Sequence, residues 1–390
     1  MVYKEYIERV VEMGSLLYGK EEGRAIAARL LQHFCGISSY EHLVEPYGAI
    51  APEHIGELES AAQQIAAARP LQYILGYQEF LGLKISVEEG VLIPRPETEE
   101  LVTQVLNHIA AQHPQPAGLN SHPAALDPPT AGLDSRPAGH SRPVAGLNSH
   151  STGHSGPAAG LDSHSTGNSR PVAGLNSHSP GHSGPVAGLD FHPTALDSQT
   201  AGLNSQSTTL RILDAACGSG CIAAALKYNL PQAQIFACDL SPKALEVTAR
   251  NLSSLHDSSS APDSSSAPNV FQYDLLKSPE GFPLNELDII VSNPPYVMES
   301  EASKMRANVL DYEPAMALFV PDNDPLIFYR ALERLASATL KPKGAIFMEV
   351  NESLAVETAA IFEEAGYSAV EIKRDIFGKA RMVTGRLLCN

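Results

Sequence analysis

Short apolar segments alternate with amphipathic segments over the second half of the chain. The apolar, strand-like segments are 210–215, 234–238, 270–273, 287–291 and 345–350. The segments with helical spacing are 219–228, 242–252, 325–340 and 354–365, and two more strand-like segments follow at 370–373 and 381–388. Nearly continuous apolar strands that alternate with helices are typical of a parallel sheet covered on both faces. The alternation predicts a doubly wound α/β sheet, whose ligands bind at the carboxyl ends of the strands.

The N-terminal part of the chain has a different pattern. Up to residue 75, apolar residues recur at helical spacing, as in Ile26, Leu30 and Phe34. This spacing predicts a small helical bundle, which we take as a domain of residues 1–75.

A linker follows the bundle. Segments 79–83 and 84–87 are short and strand-like and predict a β-hairpin within a linker of residues 76–95. Pro96 suits the first turn of a helix, which we expect to end near residue 112. We assign 96–113 and 210–390 to the sheet domain.

A fourteen-residue unit repeats between residues 114 and 209. Ala-Gly-Leu followed by Asn or Asp begins at Ala117 and returns at this step as far as Ala201. The unit is rich in Gly, Ser, Pro, His and Ala and contains one Leu, so it buries too little apolar surface to offset the entropy lost on ordering. We expect 114–209 to be a disordered insertion, with a solenoid as the alternative. Segment 256–268, in which Asp-Ser-Ser-Ser-Ala-Pro occurs twice, predicts a second, short insertion.

Charge and cysteine content narrow the class of protein. The net charge is −17, and the long repeat holds five Asp and three Arg, so the remainder is near −15. This balance disfavours nucleic-acid binding and favours a basic protein partner.

The five cysteines show no disulfide spacing and no apolar run is long enough to span a membrane, so we expect a cytoplasmic protein. Nine histidines lie between His113 and His192, but unstructured spacing offers no preformed metal site, and we expect none.

A glycine-rich loop follows the first strand of the sheet. Gly218 and Gly220 let the backbone approach a ligand closely, next to the N-terminus of the following helix. Asp214, before the loop, could accept a hydrogen bond from a ligand ammonium group. Asp239 ends the second strand, where an acidic side chain can hold ribose hydroxyls. Asp274 follows the third strand, where it suits the adenine end of a ligand together with Leu275.

Asn293, Pro294, Pro295 and Tyr296 end the apolar strand 287–291. The prolines fix φ and supply no N–H, so the Asn293 amide and the nearby carbonyls are left for a ligand. Together with the glycine loop, this motif resembles the amino-methyltransferases that use S-adenosylmethionine. The Asn293 side-chain oxygen and the Pro294 carbonyl would accept both N–H bonds of a planar amide, and these bonds strengthen as the nitrogen gains positive charge. Tyr296 would pack against the planar group.

Several motifs extend this resemblance to one family. They are Arg69-Pro70-Leu71-Gln72-Tyr73-Ile74-Leu75-Gly76, Leu92-Ile93-Pro94-Arg95-Pro96-Glu97-Thr98-Glu99, Gly218-Ser219-Gly220-Cys221-Ile222-Ala223, Asp239-Leu240-Ser241-Pro242-Lys243-Ala244-Leu245, Asn293 to Tyr296, and Glu313-Pro314 followed by Ala317-Leu318. In order and spacing the chain resembles the release factor glutamine methyltransferases, the HemK/PrmC family. The resemblance covers the chain outside its two low-complexity segments.

The resemblance implies a class I S-adenosylmethionine-dependent methyltransferase with a Rossmann-like sheet. It implies methylation of the glutamine side chain in the Gly-Gly-Gln motif of class I peptide chain release factors, which the N-terminal helical domain helps to bind. The residues it places around the cofactor are Ala216, Cys217, Gly218, Ser219, Gly220, Asp239, Leu275 and Asn293, with Asn293 to Tyr296 around the substrate glutamine. The family usually has Gly at the position of Ala216 and Thr or a similar residue at that of Cys217, which puts cofactor affinity in question.

Three alternatives remain open on the sequence. A nicotinamide dinucleotide site is disfavoured because the loop lacks Gly-x-Gly-x-x-Gly. An adenine-N6 methyltransferase acting on DNA or RNA would also use Asn-Pro-Pro-Tyr, but it needs a basic groove for the nucleic acid. A binding module without catalytic activity, altered at Ala216 and tethered by the repeat, is the third alternative.

Overall fold

The computed structural model of the protein describes residues 1–112, 209–255 and 269–388. The predicted disorder of the repeat, the second insertion at 256–268 and the nine histidines lie outside the described residues, apart from residue 209 at the repeat's end. None of the helices in the described part of the chain is long and apolar enough to cross a membrane.

Residues 1–75 fold into a helical bundle, as the apolar spacing predicts. Its helices are α1 (Tyr3–Met13), α2 (Lys20–Cys35), α3 (Glu41–Val44), α4 (Pro52–Ala66) and α5 (Leu71–Leu75). Tyr6, Leu30, Leu58 and Ile65 are fully buried where α1, α2 and α4 pack together. Helix α2 ends at Gly36, whose φ of 67° is the left-handed conformation that commonly terminates helices.

A β-hairpin follows, with bounds that differ from the prediction. Strand β1 (Tyr77–Phe80) pairs antiparallel with β2 (Leu83–Ser86). The turn falls at Leu81 and Gly82, which both have positive φ, whereas the predicted first strand continued through them. Helix α6 (Pro96–Gln112) then begins at the proline that suits a first helical turn.

The rest of the described chain forms a seven-stranded sheet, a separate parallel pair of short strands, Val297–Met298 and Phe319–Val320, and the covering helices. The strands are β3 (Arg211–Ala215), β4 (Gln234–Asp239), β5 (Asn269–Gln272), β6 (Leu287–Ser292), β7 (Val297–Met298), β8 (Phe319–Val320), β9 (Leu340–Glu349), β10 (Tyr367–Arg374) and β11 (Ala380–Leu387). The helices are α7 (Cys221–Asn229), α8 (Pro242–Ser253), α9 (Ala307–Leu310), α10 (Ile327–Thr339) and α11 (Ala355–Glu364).

Seven strands lie in the order β10-β11-β9-β6-β3-β4-β5. Strands β5, β4, β3, β6 and β9 are parallel, and β11 runs antiparallel between β9 and β10. The connection from β3 leads to β4 on one side, and β6 lies on the other side of β3. This reversal of strand order creates a crevice at the carboxyl ends of the strands.

Alternate residues of each strand point to opposite faces and build two cores. Ile212 and Ile289 pack with residues of α6 and α7 on one face. Leu213 and Ile290 pack with residues of α10 and α11 on the other. Because the strands are apolar on both faces, the sheet is doubly wound, as predicted.

One strand begins earlier than its sequence indicates. The strand predicted at 345–350 starts at Leu340, and α10 ends at Thr339. Residues 341–344 are Lys-Pro-Lys-Gly and have the composition of a loop. The register between β6 and β9 shifts there, from Leu287 opposite Leu340 to Ile289 opposite Ala345. Residues 341–344, whose composition is typical of a turn, therefore lie in a bulge-like irregularity of β9.

Candidate functional site

A pocket of about 750 Å³ lies at the carboxyl ends of β3, β4, β5 and β6. Leu240, Leu276 and Met316 are apolar side chains at its wall that are between 42% and 54% exposed. Its lining residues are Gly90, Val91, Leu92, Ala216, Gly218, Asp239, Leu240, Ser241, Ala244, Tyr273, Asp274, Leu275, Leu276, Asn293, Pro295, Pro314, Met316, Ala317 and Phe328. An apolar pocket with a few polar groups at a switch point of the sheet is a typical small-molecule site.

The glycine-rich loop between β3 and α7 forms one wall. Ala216, Gly218 and Gly220 all have left-handed backbone angles, with φ of 59°, 55° and 73°. A Cβ on Gly218 would meet no atom within 4 Å, so this glycine leaves open space at the pocket wall. A Cβ on Gly220 would lie 2.7 Å from Thr248 Cγ2, so this glycine is required by packing against α8.

Ala216 is the unusual residue of this loop. It lines the pocket and has a positive φ although it carries a Cβ. A left-handed conformation costs a non-glycine residue roughly 1–2 kcal/mol. The expectation that a methyl group here affects the backbone angle therefore has a structural basis.

Asp239, at the end of β4, holds the loop and faces the pocket. Its Oδ2 accepts a hydrogen bond from the Gly218 N–H at 2.9 Å, and its Oδ1 accepts one from the Ser241 N–H at 2.8 Å. Burial raises the pKa of Asp239, and the hydrogen bonds from the backbone oppose that shift. Each carboxylate oxygen retains a lone pair for a ligand hydroxyl.

Asp214 lies beneath the loop and is absent from the pocket wall. Its side chain is fully buried, and Oδ2 accepts a hydrogen bond from the Ala223 N–H at 3.0 Å. Oδ1 has no partner in the described part of the chain, and burial raises the pKa to about 8. A neutral carboxyl in the core does not suit the ligand ammonium that the sequence suggested for it.

The other loop positions also support the site from behind. Cys217 and Ser219 are 5% and 2% exposed, and neither they nor Gly220 line the pocket. The Thr248 hydroxyl lies 3.3 Å from Cys217 Sγ and donates to the Gly218 carbonyl at 3.1 Å. No local sequence pattern predicted this role for Thr248.

Asn251 is a second supporting residue of α8 that sequence reasoning missed. Its Nδ2 donates to the Ser219 carbonyl at 2.8 Å and to the Ser86 carbonyl at 3.1 Å. Its Oδ1 accepts from the Ser86 N–H at 2.9 Å. One buried side chain thus joins the β-hairpin to the glycine loop.

Asp274 and Leu275 lie after β5 and line the pocket, at the position the sequence indicated. Leu275 is 7% exposed. Asp274 Oδ1 accepts a hydrogen bond from the Leu276 N–H at 3.0 Å, which fixes the turn.

Of the Asn-Pro-Pro-Tyr motif, Asn293 and Pro295 line the pocket, and Pro294 is buried beside them. Asn293 Nδ2 donates to Thr98 Oγ1 at 3.0 Å. No donor in the described part of the chain bonds to the Asn293 Oδ1 or the Pro294 carbonyl, so both remain free to accept.

Tyr296 has a different environment from the predicted one. Its ring packs with the core beneath the sheet and does not line the pocket. Its hydroxyl donates to Glu349 Oε1 at 2.7 Å, and its carbonyl accepts from Asn351 Nδ2 at 3.1 Å. In this structure Tyr296 anchors the motif, and its ring is not placed to stack on a ligand in the pocket.

Thr98 and Glu349 belong to the site although the sequence analysis assigned them no role. Thr98 Oγ1 donates to Glu349 Oε2 at 2.7 Å, and the two residues are 2% and 1% exposed. The available signal was a single carboxylate within the otherwise apolar segment 345–350. Charged residues are rarely fully buried without a partner, so the sequence predicts a hydrogen-bond or ion-pair partner for Glu349.

The edge of the pocket opposite the glycine loop is held by Glu313, which is 5% exposed. Its Oε2 accepts from the Ile93 N–H at 3.0 Å and its Oε1 from Arg95 Nη2 at 2.6 Å. The segment that follows β2 is thereby fixed to Glu313. Residues of that segment and Pro314, the neighbour of Glu313, line the pocket.

Two family models match the chain. Residues 14–76 match the PrmC N-terminal domain, and residues 191–312 match the Methyltransferase small domain. The matches fall on the helical bundle and on the part of the sheet that carries the glycine loop and the Asn-Pro-Pro-Tyr motif.

Two curated relatives match nearly the whole chain, and a third matches less than half of it. A release factor glutamine methyltransferase of Flavobacterium psychrophilum is 28% identical over 98% of this chain and 98% of its own length. One of Bacteroides thetaiotaomicron is 29% identical over 94% of each chain. A third, of Cereibacter sphaeroides, is 34% identical over 45% of this chain and 59% of its own length.

These matches confirm the resemblance drawn from the motifs. The seven-stranded sheet has the Rossmann-like architecture of the class I S-adenosylmethionine-dependent methyltransferases, preceded by a helical domain. Over nearly its whole length the chain is similar to the release factor glutamine methyltransferases.

Proposed function

We propose that this protein transfers a methyl group from S-adenosylmethionine to the side-chain amide nitrogen of a glutamine in a class I peptide chain release factor. The glutamine is that of the Gly-Gly-Gln motif. The observation that carries this proposal is the pair of free acceptors at the end of β6, Asn293 Oδ1 and the Pro294 carbonyl.

The residues of the pocket fit the cofactor. S-adenosylmethionine supplies an electrophilic methyl group on a sulfonium sulfur. Gly218 leaves room for close approach of a ligand, and Asp239 offers acceptors for ribose hydroxyls. Leu275 and Phe328 provide apolar surface for a planar base. Ala216 also lines this side of the pocket. Cys217, Ser219 and Gly220 act by holding the loop.

Asn293 and Pro294 prepare the nucleophile. An amide nitrogen is a poor nucleophile because its lone pair is delocalised into the carbonyl group. Two acceptors that bind both of its N–H groups fix its direction and withdraw no electrons from it. As the nitrogen forms its bond to the methyl carbon, the carbon–sulfur bond breaks toward sulfur and one N–H proton leaves to water. The positive charge on the nitrogen strengthens both hydrogen bonds at that moment, and this lowers the barrier.

The helical bundle is the proposed docking domain for the release factor. Tyr40, Leu43, Val44 and Tyr47 are each between 65% and 73% exposed around α3. An apolar patch on an acidic protein suits a partner with apolar and basic surface. Since release factors act in translation, we place the activity in the cytoplasm.

The test is transfer of labelled methyl from S-adenosylmethionine to a purified release factor. Two controls run beside it, the same factor with its Gly-Gly-Gln glutamine replaced by alanine, and a DNA duplex. We expect label on the intact factor alone. Label on the duplex would support the adenine alternative. Cofactor binding without any transfer would support the binding module.

A further inference from the structure

Three side chains from distant parts of the sequence form a continuous chain of hydrogen bonds behind the pocket. Asn293 Nδ2 donates to Thr98 Oγ1 at 3.0 Å, and Thr98 Oγ1 donates to Glu349 Oε2 at 2.7 Å. The other carboxylate oxygen, Oε1, accepts from the Tyr296 hydroxyl at 2.7 Å. Thr98 lies in the first turn of α6, Asn293 follows β6 and Glu349 ends β9.

The donors of these bonds give this series of hydrogen bonds a direction. Glu349 Oε2 accepts from the Thr98 hydroxyl and Oε1 accepts from the Tyr296 hydroxyl, so both hydroxyl protons point to the carboxyl group. Burial is the largest influence and raises the pKa of Glu349, and the hydrogen bonds from Thr98 and Tyr296 and the positive charge of Arg381 offset only part of that rise. The charge of Glu97 acts in the opposite sense to that of Arg381.

The direction determines how the Asn293 amide is oriented. Because the Thr98 proton points to Glu349, the Thr98 oxygen faces Asn293 with a lone pair and accepts from an N–H. Asn293 must then present Nδ2 to Thr98 and Oδ1 to the pocket. The two ends of an amide have nearly the same shape, so only hydrogen-bond partners decide between its two orientations.

We propose that Glu349 is a positioning residue, which acts through Thr98 to hold the Asn293 carbonyl oxygen toward the substrate. This inference rests on the proposed function, since it concerns the acceptor for the glutamine amide. If the Asn293 amide were reversed, its NH2 would face the NH2 of the substrate. The acceptor would be lost and two donors would oppose each other.

Two substitutions change this series of hydrogen bonds. In Glu349→Gln, glutamine keeps the shape of the side chain and carries an NH2 that can donate to Thr98 or to Tyr296. With the NH2 at Thr98, Thr98 donates to Asn293, which reverses the amide. Thr98→Val removes the hydrogen bonds to Asn293 and Glu349 with little change of side-chain volume. Thr98→Ser retains the hydroxyl group.

We expect Glu349→Gln and Thr98→Val each to lower kcat on the release factor by about tenfold to a hundredfold, the size usual when a partner that orients a site residue is removed. We expect the Kd of S-adenosylmethionine to change by less than about threefold, and Thr98→Ser to recover turnover relative to Thr98→Val. The double variant should be no slower than the slower single variant, because both act on one chain. Unchanged kcat in Thr98→Val, or effects that multiply in the double variant, would overturn the proposal.

A second readout does not depend on the substrate. In protein with ¹⁵N-labelled asparagine, the Asn293 side-chain amide resonance is identified by its loss in Asn293→Asp. We expect slow exchange of its protons with water in the unsubstituted protein and faster exchange, with a shifted resonance, in Thr98→Val, which removes the acceptor of the Asn293 NH2. An unchanged resonance would overturn the positioning role. Absence of methyl transfer by the unsubstituted protein would instead count against the proposed function.

Discussion

At the scale of single residues, Asn293 concentrates the chemistry of the site. We expect Asn293→Ala to reduce kcat at least about a hundredfold, because it removes a hydrogen bond that strengthens in the transition state. Binding of S-adenosylmethionine should weaken much less, since Gly218 and Asp239 remain in place. Methyl transfer under saturating substrates, together with cofactor binding by calorimetry, measures both effects. Near-normal turnover in this variant would contradict the mechanism.

Ala216 stores backbone strain at the pocket wall. We expect Ala216→Gly to raise the free energy of unfolding by roughly 1 kcal/mol. The free energy gained by removing the left-handed strain of Ala216 exceeds the free energy lost because glycine increases the entropy of the unfolded chain. The matched control is Ala215→Gly, one residue earlier in β3, which is fully buried and has no positive φ. That change should destabilise the protein. Urea unfolding of both variants decides the point, and a destabilised Ala216→Gly would show that no strain is relieved.

Asp214 makes stability depend on pH. Its pKa is raised by burial from the ordinary 3.8 to about 8, so the folded protein holds a proton that the unfolded chain releases in this range. Its contribution is therefore most favourable at low pH and is lost as pH rises toward 8, with a slope of at most about 1.4 kcal/mol per pH unit. We expect Asp214→Asn to flatten the pH dependence of the unfolding free energy between pH 5 and 7.5. Parallel curves for the two proteins would contradict this expectation.

At the scale of elements, α8 supports the glycine loop from behind. The buried Asn251 makes three hydrogen bonds, to both main-chain groups of Ser86 and to the Ser219 carbonyl. We expect Asn251→Ala to lower the free energy of unfolding by roughly 2–4 kcal/mol and to weaken cofactor binding, because these main-chain groups lose their partner. Ser253→Ala is the control, since the exposed Ser253 bonds only within its own helix. Equal effects of the two changes would show that Asn251 is not a specific support.

The elements differ in how far the sequence could predict them. Pro96 and the apolar strand before Asn293 have strong local signals, and the structure has α6 and β6 at those positions. The start of β9 was missed because residues 341–344 have loop composition and their pairing depends on a distant strand. Tyr296 was expected at the ligand because its own segment does not reveal Glu349, 53 residues later.

The residues of the site also differ in how far the sequence could predict them. Asp239, Leu275 and Asn293 were predicted because strand ends carry ligands in this class of fold, and all three line the pocket. Thr98 and Asn251 were not found, because each acts through contacts between segments far apart in the sequence. A motif indicates which side chains face a ligand, whereas the residues that orient them depend on the tertiary structure.

At the scale of the whole molecule, the pocket requires contacts between the N-terminal segments and the sheet. Tyr73 donates to the Val91 carbonyl at 2.7 Å, and the Tyr312 hydroxyl donates to the Ala67 carbonyl at 2.6 Å. Together with the bonds to Glu313, they connect the helical bundle to two segments that lie beside the Asn-Pro-Pro-Tyr motif. The N-terminal segments are thereby joined to the wall of the pocket.

The last prediction concerns the connection between α6, which ends at Gln112, and β3, which begins at Arg211. We expect replacement of residues 114–209 by a short Gly-Ser linker to preserve methyl transfer, because the described residues outside this segment already form the pocket and both cores. If the repeat is disordered, as its composition predicts, shortening the connection should also raise the free energy of unfolding by up to about 2–3 kcal/mol. A variant that keeps the length but shuffles the repeat should match the original protein in stability. Thermal unfolding and methyl transfer of both variants test this, and a lower melting temperature in either would show that the repeat packs against the folded domains.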